Sequence, residues 1–362
     1  MEINSQFWAQ RRVLITGHTG FKGAWLSLWL QSLGAELTGL SSGAPTQPSL
    51  YELAGIGANM REHAVDVRDS GALRDALLQA RPEVVLHLAA QPMVRRSLRD
   101  PVLTYEVNVM GTVNVLEAVR AAGGEVRAVV VVTSDKCYEN DGRADARFVE
   151  ADRLGGSDPY SSSKACAELV ASAYRSSFFA GERTTRLATA RAGNVIGGGD
   201  WGEDRLIPDA VRALDSGEPL RVRNPHAVRP WQHVLNPLAG YLRLAEELWD
   251  TDDAARAWNF GPREQDARPV SWIVERLAEL SGGGLRWQLD EAAHPPEAGH
   301  LSLDSSAAEM GLRWAPAWDL QEALARVVEW HDAQRAGDDM RAVSLRQIAQ
   351  LGRPRADRTQ SR

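Results

Sequence analysis

The sequence predicts an α/β chain, a doubly wound parallel sheet carrying a smaller, mostly C-terminal α/β lobe. Three observations predict it. Short apolar runs alternate with amphipathic stretches through the first half of the chain. Those runs are continuous in Val, Ile, Leu and Ala, the pattern of strands covered on both faces. After Gly193 the pattern breaks into short elements in which Gly, Trp, Pro and Arg are frequent.

Arg11–Thr16 is an apolar run ending in a glycine-rich turn, which predicts a buried strand. Phe21–Leu33 has apolar residues at helical spacing and is stopped by Gly34-Ala35. Glu36–Ser41 predicts a second strand, Arg61–Val67 a third, Ser70–Ala80 a helix and Glu83–Ala89 a fourth strand. Pro101–Ala122 predicts one long helix, Arg127–Ser134 a strand, Pro159–Phe179 another long helix and Thr185–Ala192 a strand. Leu235–Leu248 is again helical and Ala257–Phe260 strand-like, so the chain is expected to return to the large sheet there. His226–Trp231 and Val270–Trp330 fall to the smaller lobe. The tail from Leu351 lacks apolar periodicity and is expected to be disordered.

A length of 362 residues suits two domains, or one large domain with an appended lobe. With 44% hydrophobic and 25% charged residues, a collagenous, a wholly disordered or a disulfide-stapled chain is excluded. The 41 basic against 48 acidic residues give no chain-wide footprint for nucleic acid, though a local positive pocket for an anion stays open. Cys137 and Cys166 are too few for a disulfide framework and lack metal-ligand spacing, and His-x-x-x-His pairs are missing, so no metal is expected. Apolar runs are strand-sized, and Met1–Gln10 lacks the pattern of a signal peptide. The expectation is no membrane contact and a reducing, cytoplasmic location.

The loop TGHTGFKG joins the first strand to the first helix, with Gly17, Gly20 and Gly23 spaced G-x-x-G-x-x-G. Glycines permit a tight turn and close backbone approach to a pyrophosphate, and the helix start supplies unpaired N–H groups. Gly17, Thr19, Gly20, Phe21, Lys22 and Gly23 are therefore candidate cofactor ligands, the alternative being a tight turn with no ligand. The second strand ends Gly39-Leu40-Ser41-Ser42, without the carboxylate that usually holds an adenosine ribose and without an arginine for a 2′-phosphate. Asp66 and Val67 are candidates for the adenine edge, with a loop cap as the other reading of Asp66.

Tyr160 and Lys164 stand at i and i+4 on one helix face. A neighbouring ammonium is expected to lower the phenol from about 10 toward neutrality, so that Tyr160 can take a hydroxyl proton as hydride leaves the same carbon. Thr133-Ser134-Asp135-Lys136-Cys137-Tyr138 follows a buried strand, at the end where parallel sheets place ligands. Ser134 can hydrogen-bond a substrate hydroxyl, and Asp135 and Lys136 add an acid–base pair. His87 and Cys137 read as packed residues.

With the segments SLYELAGI, HLAAQPMVRRS, TSDKCYEN, GGSDPYSSSKACAE, RAGNVIGGGDW, DRLIPD and RPWQHV, the chain resembles the extended short-chain dehydrogenase/reductase family. The likeness is to its nucleotide-sugar dehydratases and runs from about Phe7 to about Asp332. Many of those carry T-D-E where this chain has Ser134-Asp135-Lys136, which looks like the branch acting on CDP-glucose. The resemblance implies a Rossmann NAD-binding domain of residues 1–190 plus about 232–261, and a nucleotide-sugar-binding lobe of about 191–231 plus 262–335. It implies a homodimer through the two long helices and a place in deoxysugar synthesis for surface polysaccharide. The implied reaction oxidises carbon 4, eliminates water across carbons 5 and 6, and returns hydride to carbon 6. In it Tyr160, with Ser134 and Lys164, is the base and Asp135 the acid. Lys136 is either the base at carbon 5 or a cation facing the enolate. Leu88, Ala89, Ala90 and Asn108, with Tyr160 and Lys164, are implied to line NAD. Gln91, Arg95, Arg96, Ser134, Asn194, Arg205 and Arg229 are implied to meet the nucleotide sugar, with surface ion pairs the alternative for the arginines. Two other functions fit the same fold: a 4-epimerase or reductase using Tyr160 and Lys164 alone, and a non-catalytic NAD(H) sensor. The first has no use for Asp135-Lys136, and the second has none for a proton relay.

Overall fold

The structure is a computed structural model that describes residues 3–143, 147–181, 185–292 and 300–351. The tail expected to be disordered lies, past Leu351, outside the described residues.

Strand β1 (Arg12–Thr16) is buried from Val13 onward and runs into the glycine loop. Helix α1 (Phe21–Ser32) starts from Gly20, whose lack of a side chain leaves the first-turn N–H groups uncapped by any side chain. Strand β2 (Glu36–Ser41) falls where the alternation placed it. Strand β3 (Arg61–Ala64) stops short of the expected Val67, because Asp66 turns the chain by accepting the Arg68 N–H at 2.9 Å. Helix α2 (Ser70–Ala80) is capped by Asp69, which accepts from Ala72 N–H. Strand β4 (Val84–His87) and helix α3 (Val94–Arg99) follow.

The long helix expected over Pro101–Ala122 runs unbroken to Ala121 but carries a π turn: α4 (Pro101–Tyr105) passes through Glu106–Met110 into α5 (Gly111–Ala121). The extra residue of the π turn turns Asn108 into the interior, and such turns recur at functional sites. Strand β5 (Ala128–Val132) is wholly buried. Helix α6 (Pro159–Phe178) has Asp158 as its cap and Pro159 at its first position, where the missing N–H costs nothing. Then come β6 (Arg186–Ala192), α7 (Leu206–Ser216), α8 (Leu235–Asp250), β7 (Ala257–Phe260), α9 (Val270–Leu280), α10 (Leu320–Arg335) and α11 (Met340–Gln350).

The seven strands stand in the order β7-β6-β5-β4-β1-β2-β3, and every pairing is parallel. The chain starts at the centre, winds out to β3, then crosses back to β4 beside β1. That reversal opens a crevice at the carboxyl ends of β1 and β4, where doubly wound sheets bind their ligands. Alternate residues feed the two faces. Val13 and Ile15 join a core with α1, α8 and α11, whereas Leu14 joins one with α2, α5 and α6. A third core, around Ile207, Trp231, Ile273 and Val327, holds the smaller lobe together. Helix α11 was not anticipated from the sequence. It packs Met340, Val343 and Ile348 into the same core as Trp25 and Trp29 of α1.

Candidate active site

At the crevice the glycines do what the spacing required. Gly17 adopts φ +75°, and a Cβ there would lie 2.8 Å from the Ala89 backbone. A Cβ on Gly23 would lie 2.1 Å from the Gly17 carbonyl oxygen. The loop, the start of α1 and the strand exit Leu88-Ala89-Ala90 are thus in backbone contact. Leu88 N–H donates to the Thr16 carbonyl at 3.1 Å and Ala89 N–H to Thr16 Oγ1 at 3.2 Å. Thr19 Oγ1 reaches Ser41 Oγ at 2.6 Å and the Gly43 carbonyl at 2.7 Å, tying the loop to the exit of β2. Phe21 seats against Gly197. Below the loop, His87 braces Thr16 at 2.6 Å, and burial foremost pushes its imidazole down to about 3, so it is neutral and structural. Bare backbone N–H groups at a helix start, with no side chain in the way, fit a dinucleotide pyrophosphate.

Asp66 pairs with Arg68 at 2.7 Å, and that hydrogen bond holds its carboxyl below the usual carboxylate range. Val67 is buried against Gly111, and its carbonyl is held by Asn114 at 2.9 Å.

Tyr160 opens α6 with its N–H on Ser97 Oγ at 3.1 Å, and its phenol lies close enough to the Ser134 hydroxyl to be acted on by it. Ser134 Oγ in turn donates to Asp135 Oδ1 at 3.0 Å and accepts the Lys136 N–H at 3.2 Å. Asp135 is 2% exposed and fills the space where Gly193 lacks a side chain. The structure therefore joins Ser134, Asp135 and Tyr160, and places the Lys136 backbone on the same serine.

The expected lowering of Tyr160 by Lys164 is corrected. Burial pushes the phenol up to about 12, with the neighbouring Ser134 hydroxyl opposing and Asp135 adding to the rise. The reason is where the lysine points. Lys164 Nζ donates to the Val132 carbonyl at 3.3 Å, and burial pushes the amine itself down to about 8, with Glu168 one turn on pulling the other way. Burial also raises the Asp135 carboxyl, against Lys136, Ser134, Lys22 and Arg229. A raised carboxyl holds a proton to higher pH, as a general acid must.

Lys22 does more than line the cradle. Its Nζ stands 3.4 Å from the Tyr241 hydroxyl, within electrostatic reach of Lys164 and Asp135, and burial pushes it down to about 8. Tyr241, on α8, carried no signal in the sequence. Arg229 is buried and acts on Asp135, and Asn194 follows β6, its carbonyl taking the Gln232 N–H at 3.1 Å. Arg205 immediately precedes α7, pairs with Asp200 at 2.9 Å and bears electrostatically on Tyr160. Arg95 pairs with Asp204 at 3.1 Å, whereas Arg96 is exposed. Gln91 spends its amide on Met93 N–H at 2.7 Å, the Met93 carbonyl at 3.1 Å and Thr104 at 2.9 Å, which makes it a loop brace. Asn108 is likewise satisfied internally, by Gln91 N–H at 2.8 Å, the Gln91 carbonyl at 3.1 Å and Ser163 Oγ at 2.9 Å, and couples the β4 exit to α6. Among the described residues no cluster of His, Cys, Asp and Glu could hold a metal, and no helix is long and apolar enough to cross a membrane.

A dinucleotide cradle facing a Tyr–Ser pair at the end of a parallel sheet defines the class: the chain belongs to the NAD dependent epimerase/dehydratase family, whose pattern matches residues 13–261. NAD is its cofactor. The chain is 49% identical over 353 residues to CDP-glucose 4,6-dehydratase of Salmonella typhimurium, covering 96% of this chain and 98% of that one. It is 28% identical to dTDP-glucose 4,6-dehydratase of Streptomyces griseus, covering 90% and 95%. The solved dTDP-glucose 4,6-dehydratase of Streptomyces venezuelae with NAD bound aligns with a TM-score of 0.76 at 26% identity, covering 90% and 98%. UDP-glucose 4-epimerase of Thermotoga maritima shares the fold, with a TM-score of 0.77 at 20% identity, covering 89% and 99%.

Proposed function

We propose that this chain removes water from CDP-glucose to give CDP-4-dehydro-6-deoxyglucose. One observation carries the reading: beside the Tyr160–Ser134 pair lies a second acid, Asp135, buried and held protonated to higher pH. A 4-epimerase needs the pair alone. The extent of the likeness to the Salmonella enzyme supports the same substrate.

NAD, held by the glycine loop and the Leu88–Ala90 exit, would accept hydride from carbon 4 and give it back at carbon 6. The chain's own residues manage the protons. Tyr160, as phenolate, takes the proton of the 4-hydroxyl, with the Ser134 hydroxyl steadying the same oxygen. The ketone at carbon 4 acidifies the proton on carbon 5. Lys136 either takes that proton or faces the enolate as a cation, and a Lys136→Met chain that still expels water at the full rate excludes both roles. Asp135 gives its proton to the departing 6-hydroxyl, which leaves as water, and as hydride returns to carbon 6 the base that removed the carbon-5 proton gives one back to carbon 5. Incubation with CDP-, UDP-, dTDP- and GDP-glucose, read by mass, tests the assignment. CDP-glucose alone should lose one water efficiently, and a hexose of unchanged mass overturns the reading.

The homodimer belongs to this proposal. Val102 (67% exposed), Met110 (50%) and Leu169 (58%) stand on α4, the π turn and α6, neighbouring elements that together offer apolar side chains to a second copy. Sedimentation at the mass of two chains, and at one for Val102→Glu, is expected. Cys137 and Cys166 are both free thiols, which supports a reducing, cytoplasmic setting.

A further inference from the structure

We propose that Arg95 and Arg223 form a clasp for the substrate's diphosphate, and that Asp204 is the internal anion that fills this clasp until the substrate arrives. The inference rests on the nucleotide-sugar reading above and extends it to two residues, Arg223 and Asp204, that the motifs did not mark.

The two arginines come from opposite sides of the cleft. Arg95 lies on α3, two residues before Ser97, whose hydroxyl accepts the Tyr160 N–H. Arg223 follows the short strand Leu220–Val222 of the lobe. They meet on one oxygen: Arg95 reaches Asp204 Oδ1 at 3.1 Å and Arg223 reaches it at 3.5 Å. Arg223 also donates to the Asp204 carbonyl at 3.2 Å. Asp204 holds φ +58°, a left-handed conformation that few non-glycine residues adopt. The next residue, Arg205, is bound to Asp200 and acts on Tyr160. One guanidinium, Arg205, thus acts on the catalytic tyrosine, the other two meet on the residue before Arg205, and two carboxylates of the same loop, Asp200 and Asp204, pair with all three.

A guanidinium fork binds phosphate oxygens in the geometry with which it binds a carboxylate. The Arg95 and Asp204 side chains are each 31% exposed and that of Arg223 23%, so these pairs are water-screened and open to exchange. A diphosphate carries more charge than one carboxylate and offers more acceptors, so it displaces Asp204. The exchange puts the substrate between sheet and lobe, where Asp204 now links them.

Titration calorimetry of the intact chain with CDP and with inorganic pyrophosphate tests this. Arg223→Gln is expected to weaken both ligands by roughly tenfold, and Asp204→Asn to tighten both by about three- to tenfold. Asp204→Gly, which a left-handed backbone accepts, repeats the second arm if the Asn variant folds poorly. Combining Asp204→Asn with Arg223→Gln should erase most of the tightening. Asp204 variants that fold and bind pyrophosphate no better than the unaltered chain overturn the clasp. The pyrophosphate arm carries no nucleoside. Tightening there with no preference for CDP leaves the clasp standing and removes the CDP-glucose reading. CDP binding that ignores Asp204 does the reverse.

Discussion

Tyr160→Phe is expected to slow the dehydration of CDP-glucose by about a thousandfold, the upper part of the range for loss of a positioned acid–base group. The substitution removes one oxygen from a ring that is 8% exposed, so the fold should be unaffected and the loss is chemical. The pH dependence gives the same residue a second signature. Burial pushes the phenol up to about 12, so across the neutral range the phenolate is the minor form and grows as pH rises. Oxidation at carbon 4, read by mass in a quenched single turnover, should therefore speed up with pH. Expulsion of water should move the other way, because Asp135 must give a proton and its raised carboxyl loses that proton as pH rises. A Tyr160→Phe chain that oxidises carbon 4 at the normal rate would show that another group is the base.

Glu168→Ala is expected to destabilise the fold by about 3–5 kcal/mol, the cost of leaving one member of a buried ion pair alone. Glu168 and Arg191 meet at 2.7 Å with side chains 2% and 4% exposed. Glu168 also accepts from Thr133 and, at 2.7 Å, from Thr189. Arg191 continues the network to Tyr138 at 2.8 Å and the Glu150 carbonyl at 3.0 Å, and Tyr138 donates to Asn259 at 2.7 Å. The network spans β5, β6 and β7 beneath the segment that carries Ser134 and Asp135. Replacing both partners by Met should recover much of the loss, since an apolar pair of similar volume leaves no charge unpaired. Urea unfolding at neutral pH reads both variants. An unchanged midpoint for Glu168→Ala would mean that the pair contributes nothing.

Much of this was legible in the chain because the signals are local. Helix α2 keeps its predicted bounds because Asp69 caps it and Leu73 and Leu77 lie one turn apart. Tyr160 and Ser134 meet because a helix start and a strand exit fall at the same end of a parallel sheet. The π turn was not legible. It depends on Gly111 seating against Val67 and on Asn108 reaching Gln91 and Ser163, contacts made between distant segments. The direction of the Tyr160 shift was missed because a sequence shows which charges are near but not how much water is gone. Arg223, Asp204 and Tyr241 are ordinary polar residues until the lobe closes beside the sheet. Glu168 alone had a usable clue, its place at i+4 from Lys164.

The core against α1 has a consequence for the order of assembly. It contains Trp8 and Leu14's neighbours on β1, yet also Met340, Val343 and Leu351, and Arg341 binds the Ala54 carbonyl at 3.2 Å and Gln31 at 2.9 Å. A nascent chain emerges N-terminus first, so the cradle's own helix waits, one flank open, while more than 300 further residues are translated. The dinucleotide half is first in the message and among the last parts to be sealed.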